Sequence, residues 1–505
     1  MPIITSLVKW FNIKRISQID LIRKYPFNVQ HDMFDSLISK GLETEWGRMH
    51  DYQNIRSIKD FQDRVPLQTY EEVKPYVDRL RKGELDLLWP GEIKWFAKSS
   101  GTTADKSKFI PVSKDSLERC HFRGGKDVLA IYTNNYPESG IFKGKGLTLG
   151  GSHKIDNYSN KSFYGDLSAI LIENLPFWTE FIRTPSQQVA LLDKWEEKLE
   201  KIALETIQEK VTSLAGVPSW NLVMLKYILE YTGKNNVLEI WPDLELFIHG
   251  GVSFGPYREQ FEKIIPTANM HYLEAYNASE GFFAIQDDPD DSGMLLMLDY
   301  GIFYEFIPMV EYGSENPKTL TIEEVETGVN YAIVITTNSG LWRYIIGDTV
   351  KFTSKFPHKL VITGRTKHFI NVFGEEVIID NAERALSVAC EKTASVINEY
   401  SAAPVFMSDD QKGSHEWVIE FAKAPNNLNE FTYHLDNALQ NINSDYEAKR
   451  YKNITLDIPI VHAVSEGTFF IWMEKRGKLG GQNKVPRLSN SRQYLEELLE
   501  ISELK

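Results

Sequence analysis

The texture of this chain changes at Gly293, and that change constrains its fold more than any other feature. Before it, short apolar runs alternate with helical patterns. Residues 93–97, 147–151 and 244–248 read as strands. Residues 117–132, 187–211 and 222–231 read as helices. The second is the clearest amphipathic one, with Leu191, Leu192, Trp195, Leu199 and Ile202 on one side. Such alternation predicts an α/β domain with a largely parallel sheet. After Gly293, residues 294–298, 303–307, 331–336, 342–346, 351–353 and 360–363 are short strands separated by turns. They predict an antiparallel, β-barrel-like subdomain. Beyond Arg365 a smaller α+β unit begins, with a helix at 381–389, strands at 417–421 and 469–472, and a helix from Ser491. The expected fold class is α/β: a large N-terminal domain of α/β subdomains plus the β-barrel-like one, residues 1–365, and a small C-terminal α+β domain, residues 366–505.

Charge and cysteine usage narrow the function. The formal net charge is -14, which argues against a broad nucleic-acid groove or an anionic membrane surface as partner. Cys120 and Cys390 stand far apart and build neither a disulfide framework nor a cysteine-rich metal site. No run reaches the roughly 18 apolar residues of a membrane span, and the apolar run within residues 1–10 is too short for a signal peptide. The expectation is a cytoplasmic protein with neither nucleic acid nor membrane as partner.

Five stretches carry candidate chemistry. The first is Ser99-Ser100-Gly101-Thr102-Thr103, followed by Lys106 and Lys108. A hydroxyl-rich loop bent at a glycine turns backbone N–H and side-chain O–H groups toward one anion, and the lysines add charge. A polyphosphate suits it, and the order strand, loop, helix suits phosphate binding. A polar surface turn is the competing reading. The second is Tyr276-Asn277-Ala278-Ser279-Glu280: tyrosine stacks on a purine, serine binds phosphate, and glutamate holds Mg²⁺. Alone, it is an ordinary turn. The third is Leu341-Trp342-Arg343-Tyr344-Ile345-Ile346-Gly347-Asp348, whose aspartate is placed to accept two ribose hydroxyls or else sits in a plain hairpin. The fourth is Gly364-Arg365-Thr366-Lys367, at the change from large to small domain. The fifth is Gly480-Gly481-Gln482-Asn483-Lys484, a glycine-rich loop carrying a lysine.

In this order the stretches resemble the adenylate-forming superfamily of acyl ligases, luciferases and peptide-synthetase adenylation domains. The closer similarity is to the Gretchen Hagen auxin-responsive family of acyl acid amido synthetases. It is carried also by Arg-Val-Pro-Leu-Gln-Thr-Tyr-Glu-Glu-Val-Lys-Pro-Tyr at 64–76 and by Lys108-Phe109-Ile110-Pro111. The resemblance implies that Ser99, Ser100, Thr102 and Thr103, bent at Gly101, cradle the phosphates of ATP. It implies that Gly250, Gly251 and Val252 lie against adenine, that Tyr276 stacks on it, and that Ser279 and Glu280 bind phosphate and Mg²⁺. Asp348 is implied to hold the ribose with Arg365 nearby. Arg365 and Lys367 stand at the hinge, and Lys484 approaches the α-phosphate or acyl group. The family's usual tyrosine is replaced by Trp342, and two residues separate Tyr344 from Gly347, which leaves the role of Arg343 open. Lys367 stands where the superfamily's hinge aspartate is usual. The implied reaction adenylates a small carboxylic acid and then transfers the acyl group to an amino acid amine. The C-terminal domain turns between the steps, and so is mobile.

Three rivals stand beside this reading. Gly251-Val252-Ser253-Phe254-Gly255 matches a nucleophile elbow, which makes a serine hydrolase with His271, His368 or His462 an alternative. A coenzyme A ligase would share the adenylation and change the acceptor. A non-enzymatic binding module has no need of Glu280, Asp348 and Lys484. Arg123 is a candidate carboxylate partner, or a solvent-facing helix arginine.

Overall fold

The computed structural model describes residues 2–100, 107–150, 156–159, 162–192, 195–251, 254–366, 369–373, 375, 377–408, 412–450, 456–476 and 485–503. Two strands, β1 (Trp95–Ser100) and β2 (Ser107–Val112), pair antiparallel, with Ser99 opposite Lys108. With β4 (Asp156–Ser159) and β5 (Ser162–Gly165) they form a four-stranded sheet ordered β2-β1-β5-β4. The strand–loop–helix expectation is thus corrected: a second strand follows residues 101–106 before the chain turns helical. The segment Ser-Lys-Phe-Ile-Pro-Val buries Ile110, Pro111 and Val112 in succession, a short apolar run that suits a strand covered on both faces.

The remaining strands of the large domain form one eleven-stranded sheet. Its parallel half comprises β3 (Lys145–Thr148), β6 (Arg183–Thr184), β7 (Val211–Gly216), β8 (Leu246–His249) and β9 (His271–Ala278). Its antiparallel half continues through β10 (Gly281–Ile285), β11 (Met294–Leu296), β12 (Ile302–Pro308), β13 (Asn330–Thr337), β14 (Tyr344–Lys355) and β15 (His358–Arg365). The order is β12-β13-β14-β15-β11-β10-β9-β8-β7-β3-β6. Strand β9 joins the halves, parallel to β8 and antiparallel to β10. Strands β10 and β13 read as near-continuous apolar runs because both faces are covered. What reads as two strands at 342–346 and 351–353 is one, β14. Gly347 allows its bend with φ +99°, a conformation costly for other residues.

The expected helix over 187–211 is two helices, Gln187–Ala190 and Trp195–Thr206, and Val211 already opens β7. Glu205, near the end of the second, accepts from the backbone N and the hydroxyl of Ser186 at the start of the first (2.8 and 2.9 Å). That contact requires the chain to fold back on itself. The apolar spacing runs through the break and does not disclose it.

Past Arg365 come the short pair β16 (Phe369–Ile370) and β17 (Val377–Ile378). A three-stranded sheet follows: β18 (Val396–Val405), β19 (Ser414–Lys423) and β20 (Ile460–Val464). The strand expected at 469–472 is corrected to the helix Thr468–Lys475. Phe469, Trp472 and Met473 share its buried face while Phe470 points to solvent. One apolar core runs from the parallel half of the large sheet into this C-terminal unit, taking in Phe247, Phe261, Val372, Phe373 and Trp417. Tyr257 donates its hydroxyl to Val372 O (2.9 Å), and the Gln260 amide donates to Met407 O (2.6 Å). Among the described residues no helix is long and apolar enough to cross a membrane.

Candidate active site

The site forms where the antiparallel half of the large sheet faces the end of β1 and the start of β2. Tyr276 points from β9 and donates its hydroxyl to Asp348 Oδ2 on β14 at 2.6 Å. Arg365, opposite Asp348 in the β14–β15 register, brings Nε to 2.8 Å from Oδ1. Asp348 is therefore aimed by two donors, one on each oxygen. A carboxylate has about four acceptor positions, so one on each oxygen stays available for a second donor. That is the arrangement a vicinal diol needs. Burial, reinforced by the neighbouring Asp348 charge, pushes the Tyr276 hydroxyl well above its ordinary pKa, so it stays a donor.

Glu280 sits with Ser279 in the turn between β9 and β10 and is 9% exposed. It makes no side-chain hydrogen bond to another described residue. Burial raises its pKa, and the Lys108 charge opposes that rise while Asp348 adds to it. Lys108 belongs to β2, opposite Ser99, so the adjoining ends of β1 and β2 lie within electrostatic reach of Glu280. A buried carboxylate whose side chain bonds no other described residue suits a divalent ion, and magnesium typically takes one or two carboxylates plus phosphate oxygens. The Tyr344 hydroxyl, fully buried on β14, has no partner among the described residues and lies in the field of Glu280 and Tyr70.

Gly250 and Gly251 follow β8 directly. A Cβ on Gly250 would lie 2.2 Å from Ala275 O, so only glycine lets this segment lie against β9 beside Tyr276. Ser99 and Ser100 end β1. Gly101, Thr102, Thr103, Lys106, Val252, Ser253, Lys367, His368 and Lys484 lie outside the described residues.

Two arginines belong elsewhere. Arg343 turns away into the protein, where Nε and Nη2 bond the Glu305 carboxylate (3.0 and 3.1 Å) and Nη1 bonds Gln62 O and Val65 O (2.9 and 2.7 Å). Its role is to hold the chain, which the sequence left open. Arg123 bonds Asp299 at 2.6 Å, as does Arg15 at 2.7 Å. Neither of the two readings of Arg123 named an internal ion pair. Of the histidines that a nucleophilic Ser253 would use, His271 contacts the Tyr132 hydroxyl and stacks on Tyr136, and His462 pairs with Glu416. Tyr70 and Tyr344 are near the site, and sequence reasoning gave neither a role. Tyr70 lies in the 64–76 segment that carries the family resemblance, and locally it follows Thr69 in a Thr-x-x-Glu capping box, which marks a helix start rather than a site.

The chain shares its fold and sequence with known proteins. It is 22% identical to "Indole-3-acetic acid-amido synthetase GH3.4" of Arabidopsis thaliana over 94% of this chain and 91% of that one. The structure titled "AtGH3.15 acyl acid amido synthetase in complex with 2,4-DB" superposes with a TM-score of 0.63 at 17% identity, covering 97% of this chain and 96% of that one. A 2-hydroxyisobutyryl-CoA ligase in complex with 2-HIB-AMP and CoA has the same fold at a TM-score of 0.57 and 13% identity, covering 95% and 92%. The models of the GH3 family N-terminal, central and C-terminal domains match residues 15–270, 295–365 and 380–493. With three successive family domains across most of its length, the chain belongs to the GH3 family.

Proposed function

We propose that this chain is an ATP-dependent acyl acid amido synthetase. The observation that carries the reading is the Asp348 carboxylate, aimed by Tyr276 and Arg365 and set beside Glu280 and Lys108. That grouping supports the reading because one nucleoside triphosphate needs a diol acceptor, here Asp348, near groups for a cation and phosphates, here Glu280 and Lys108. The printed activities of the family relatives are amide-forming, and the reading extends that class to this chain.

In the first half-reaction an acid carboxylate oxygen attacks the α-phosphorus of ATP, a mixed acyl-phosphate anhydride bond forms, the bond from that phosphorus to the bridging oxygen breaks, and pyrophosphate leaves. In the second, an amino acid amine attacks the acyl carbonyl, the amide bond forms, AMP leaves and the amine gives up a proton. Asp348 holds the ribose and Arg365 keeps that carboxylate aligned. Gly250, Gly251 and Val252 flank the base, against which the Tyr276 ring stacks. Ser99, Ser100, Gly101, Thr102, Thr103 and Ser279 supply donors to the phosphates. A magnesium ion held at Glu280 would neutralise phosphate charge. Lys108 adds positive charge at that corner, and Lys484 brings a further cation to the α-phosphate or acyl group. No side chain acts as a nucleophile, because positioning and charge neutralisation suffice. Residues 1–365 hold the nucleotide and the acid. Residues 366–505 turn about Arg365 and Lys367 between the steps. The substrates are small and soluble, and the reading includes a cytoplasmic location.

The test is acid-dependent exchange of labelled pyrophosphate into ATP, over aryl, indole and aliphatic acids, with Asp348→Ala beside the unaltered chain. Exchange lost in the variant, followed by AMP and an amide when amino acids are added, supports the reading. A thioester formed with coenzyme A and no amide would move the chain to the acyl-CoA ligases. Ester hydrolysis abolished by Ser253→Ala, without any exchange, would make it a hydrolase.

A further inference from the structure

The two ends of the site belong to different sheets. Asp348 and Tyr276 stand on the eleven-stranded sheet, whereas Ser99 and Lys108 stand on the four-stranded one, where β2 is an edge. No ladder sets the distance between them. An edge strand presents a row of backbone groups that lack ladder partners. On β2 one of these, the Phe109 N–H next to Lys108, donates to the Tyr70 hydroxyl at 2.9 Å. Tyr70 is buried at the first turn of the helix Tyr70–Arg81, which starts from the Thr69/Glu72 capping box. The residues just before it are tied to β14: Gln68 N donates to Arg343 O (3.0 Å), and Ile345 N donates to Gln68 O (2.8 Å). One short path of hydrogen bonds thus leads from the strand of Asp348 through residues 68–70 to the foot of the Ser/Thr loop. At the far end of β2, Ser113 bonds Ser339 and Asn338 of the β13–β14 connection (3.2 and 2.6 Å). That second strut leaves Tyr70 to secure the end nearest the loop. The Lys108 ammonium also stands 5.9 Å from the centre of the Tyr70 ring, within cation–π range.

We infer that Tyr70 is a positioning residue for the phosphates of the nucleotide: its hydroxyl fixes β2 against the large sheet and so sets Lys108, with Ser99 paired opposite it, relative to Asp348. The inference rests on the ATP reading above. It separates Tyr70 from residues that merely support the fold, because its effect falls on one end of the nucleotide.

The experiment compares Tyr70→Phe with the unaltered chain in equilibrium binding of ATP and of adenosine, and in hydrogen exchange of the 107–112 amides without ligand. The variant keeps the buried ring and removes only the acceptor. Expected are faster exchange over 107–112, an ATP dissociation constant raised about tenfold, the size of effect a lost hydrogen bond can produce, and unchanged adenosine affinity. Equal ATP affinity in the two proteins, whatever the exchange rates, overturns the inference and leaves the ATP reading intact. Equal losses for ATP and adenosine overturn it too, since they would mark general damage. Failure of the unaltered chain to bind ATP overturns the functional reading and this inference with it.

Discussion

Tyr276 and Asp348 meet at 2.6 Å although three strands, β10, β11 and β15, lie between theirs in the sheet. Four strand spacings on a flat sheet would be about 19 Å, far beyond the combined reach of the two side chains. The antiparallel half must therefore roll on itself, which is the barrel-like character expected from its short strands. The roll brings the second and third sequence stretches together. Tyr276→Phe should keep the ring and remove one donor from a buried carboxylate. A hydrogen bond to a charged group is worth about 1.5–3 kcal/mol. Urea unfolding should register a loss of that order, and adenosine should bind more weakly. Unchanged adenosine affinity would detach Asp348 from ribose.

Glu280 should show opposed effects on stability and activity. Burial, against the Lys108 charge, raises its folded pKa above the ordinary 4.5. A raised carboxyl contributes stability below the unfolded pKa and loses it as pH rises through the folded value. At pH 7 the ionised group therefore costs stability in the ligand-free protein. Glu280→Gln should unfold at a higher temperature than the unaltered chain at pH 7, with the advantage gone near pH 4. Pyrophosphate exchange should fall by about a hundredfold or more, the scale of losing one electrostatic element of a transition-state site. A variant of unchanged activity would remove Glu280 from the chemistry.

Arg343 and Glu305 form an almost fully buried pair that also gathers Gln62, Val65 and Thr319. Removing one partner of such a pair costs about 3–5 kcal/mol. Arg343→Met should destabilise on that scale in urea titration. Arg343→Met with Glu305→Leu should recover part of the loss, since no charge is then left buried alone. Additive losses would argue against the pair as the anchor.

Glu375 should tie the C-terminal unit to acidity. Burial alone would raise its pKa, but the hydrogen bond and charge of His415 at 2.7 Å, with the Phe373 and Val372 N–H groups, outweigh it and lower the value. A depressed carboxyl contributes stability above the unfolded pKa, near 4.5, and loses it as pH falls through the folded value. Trp417, fully buried in the same unit, should report a loss of tertiary packing as pH drops below about 4.5. Glu375→Gln should already be destabilised at pH 7 and show a flatter acid limb. An unchanged acid limb would place the sensitivity elsewhere.

The residues that were legible in the sequence are those whose local chemistry is unusual for their place. The paired glycines after β8 and the acid after Ser279 stand where the chain turns, and turns announce themselves, while Gly347 bends β14 just before Asp348. The change from α/β to antiparallel texture was legible in kind because period and run length differ, but it comes at β10 (Gly281–Ile285), ahead of Gly293. Tyr70 was not, since its partner is a backbone N–H on another sheet, and nothing local marks such a contact. The helix Thr468–Lys475 was hidden for another reason. A four-residue apolar run fits either period, and only the burial of Met473 next to exposed Phe470 distinguishes them. Arg343 is the converse case: the sequence left its role open, and its work is internal support through Glu305, Gln62 and Val65.

The rolled sheet also dates the site within the life of the chain. Its key contact joins residues 72 positions apart and waits on strands β10 to β15. Contacts of such long sequence separation form late, because loop closure must precede them. A nascent chain released through β9 would already carry Tyr276, the paired glycines and residues 99–103, yet would lack Asp348, the proposed ribose acceptor. Nucleotide should thus protect only the finished roll from proteolysis and leave partly folded chains exposed.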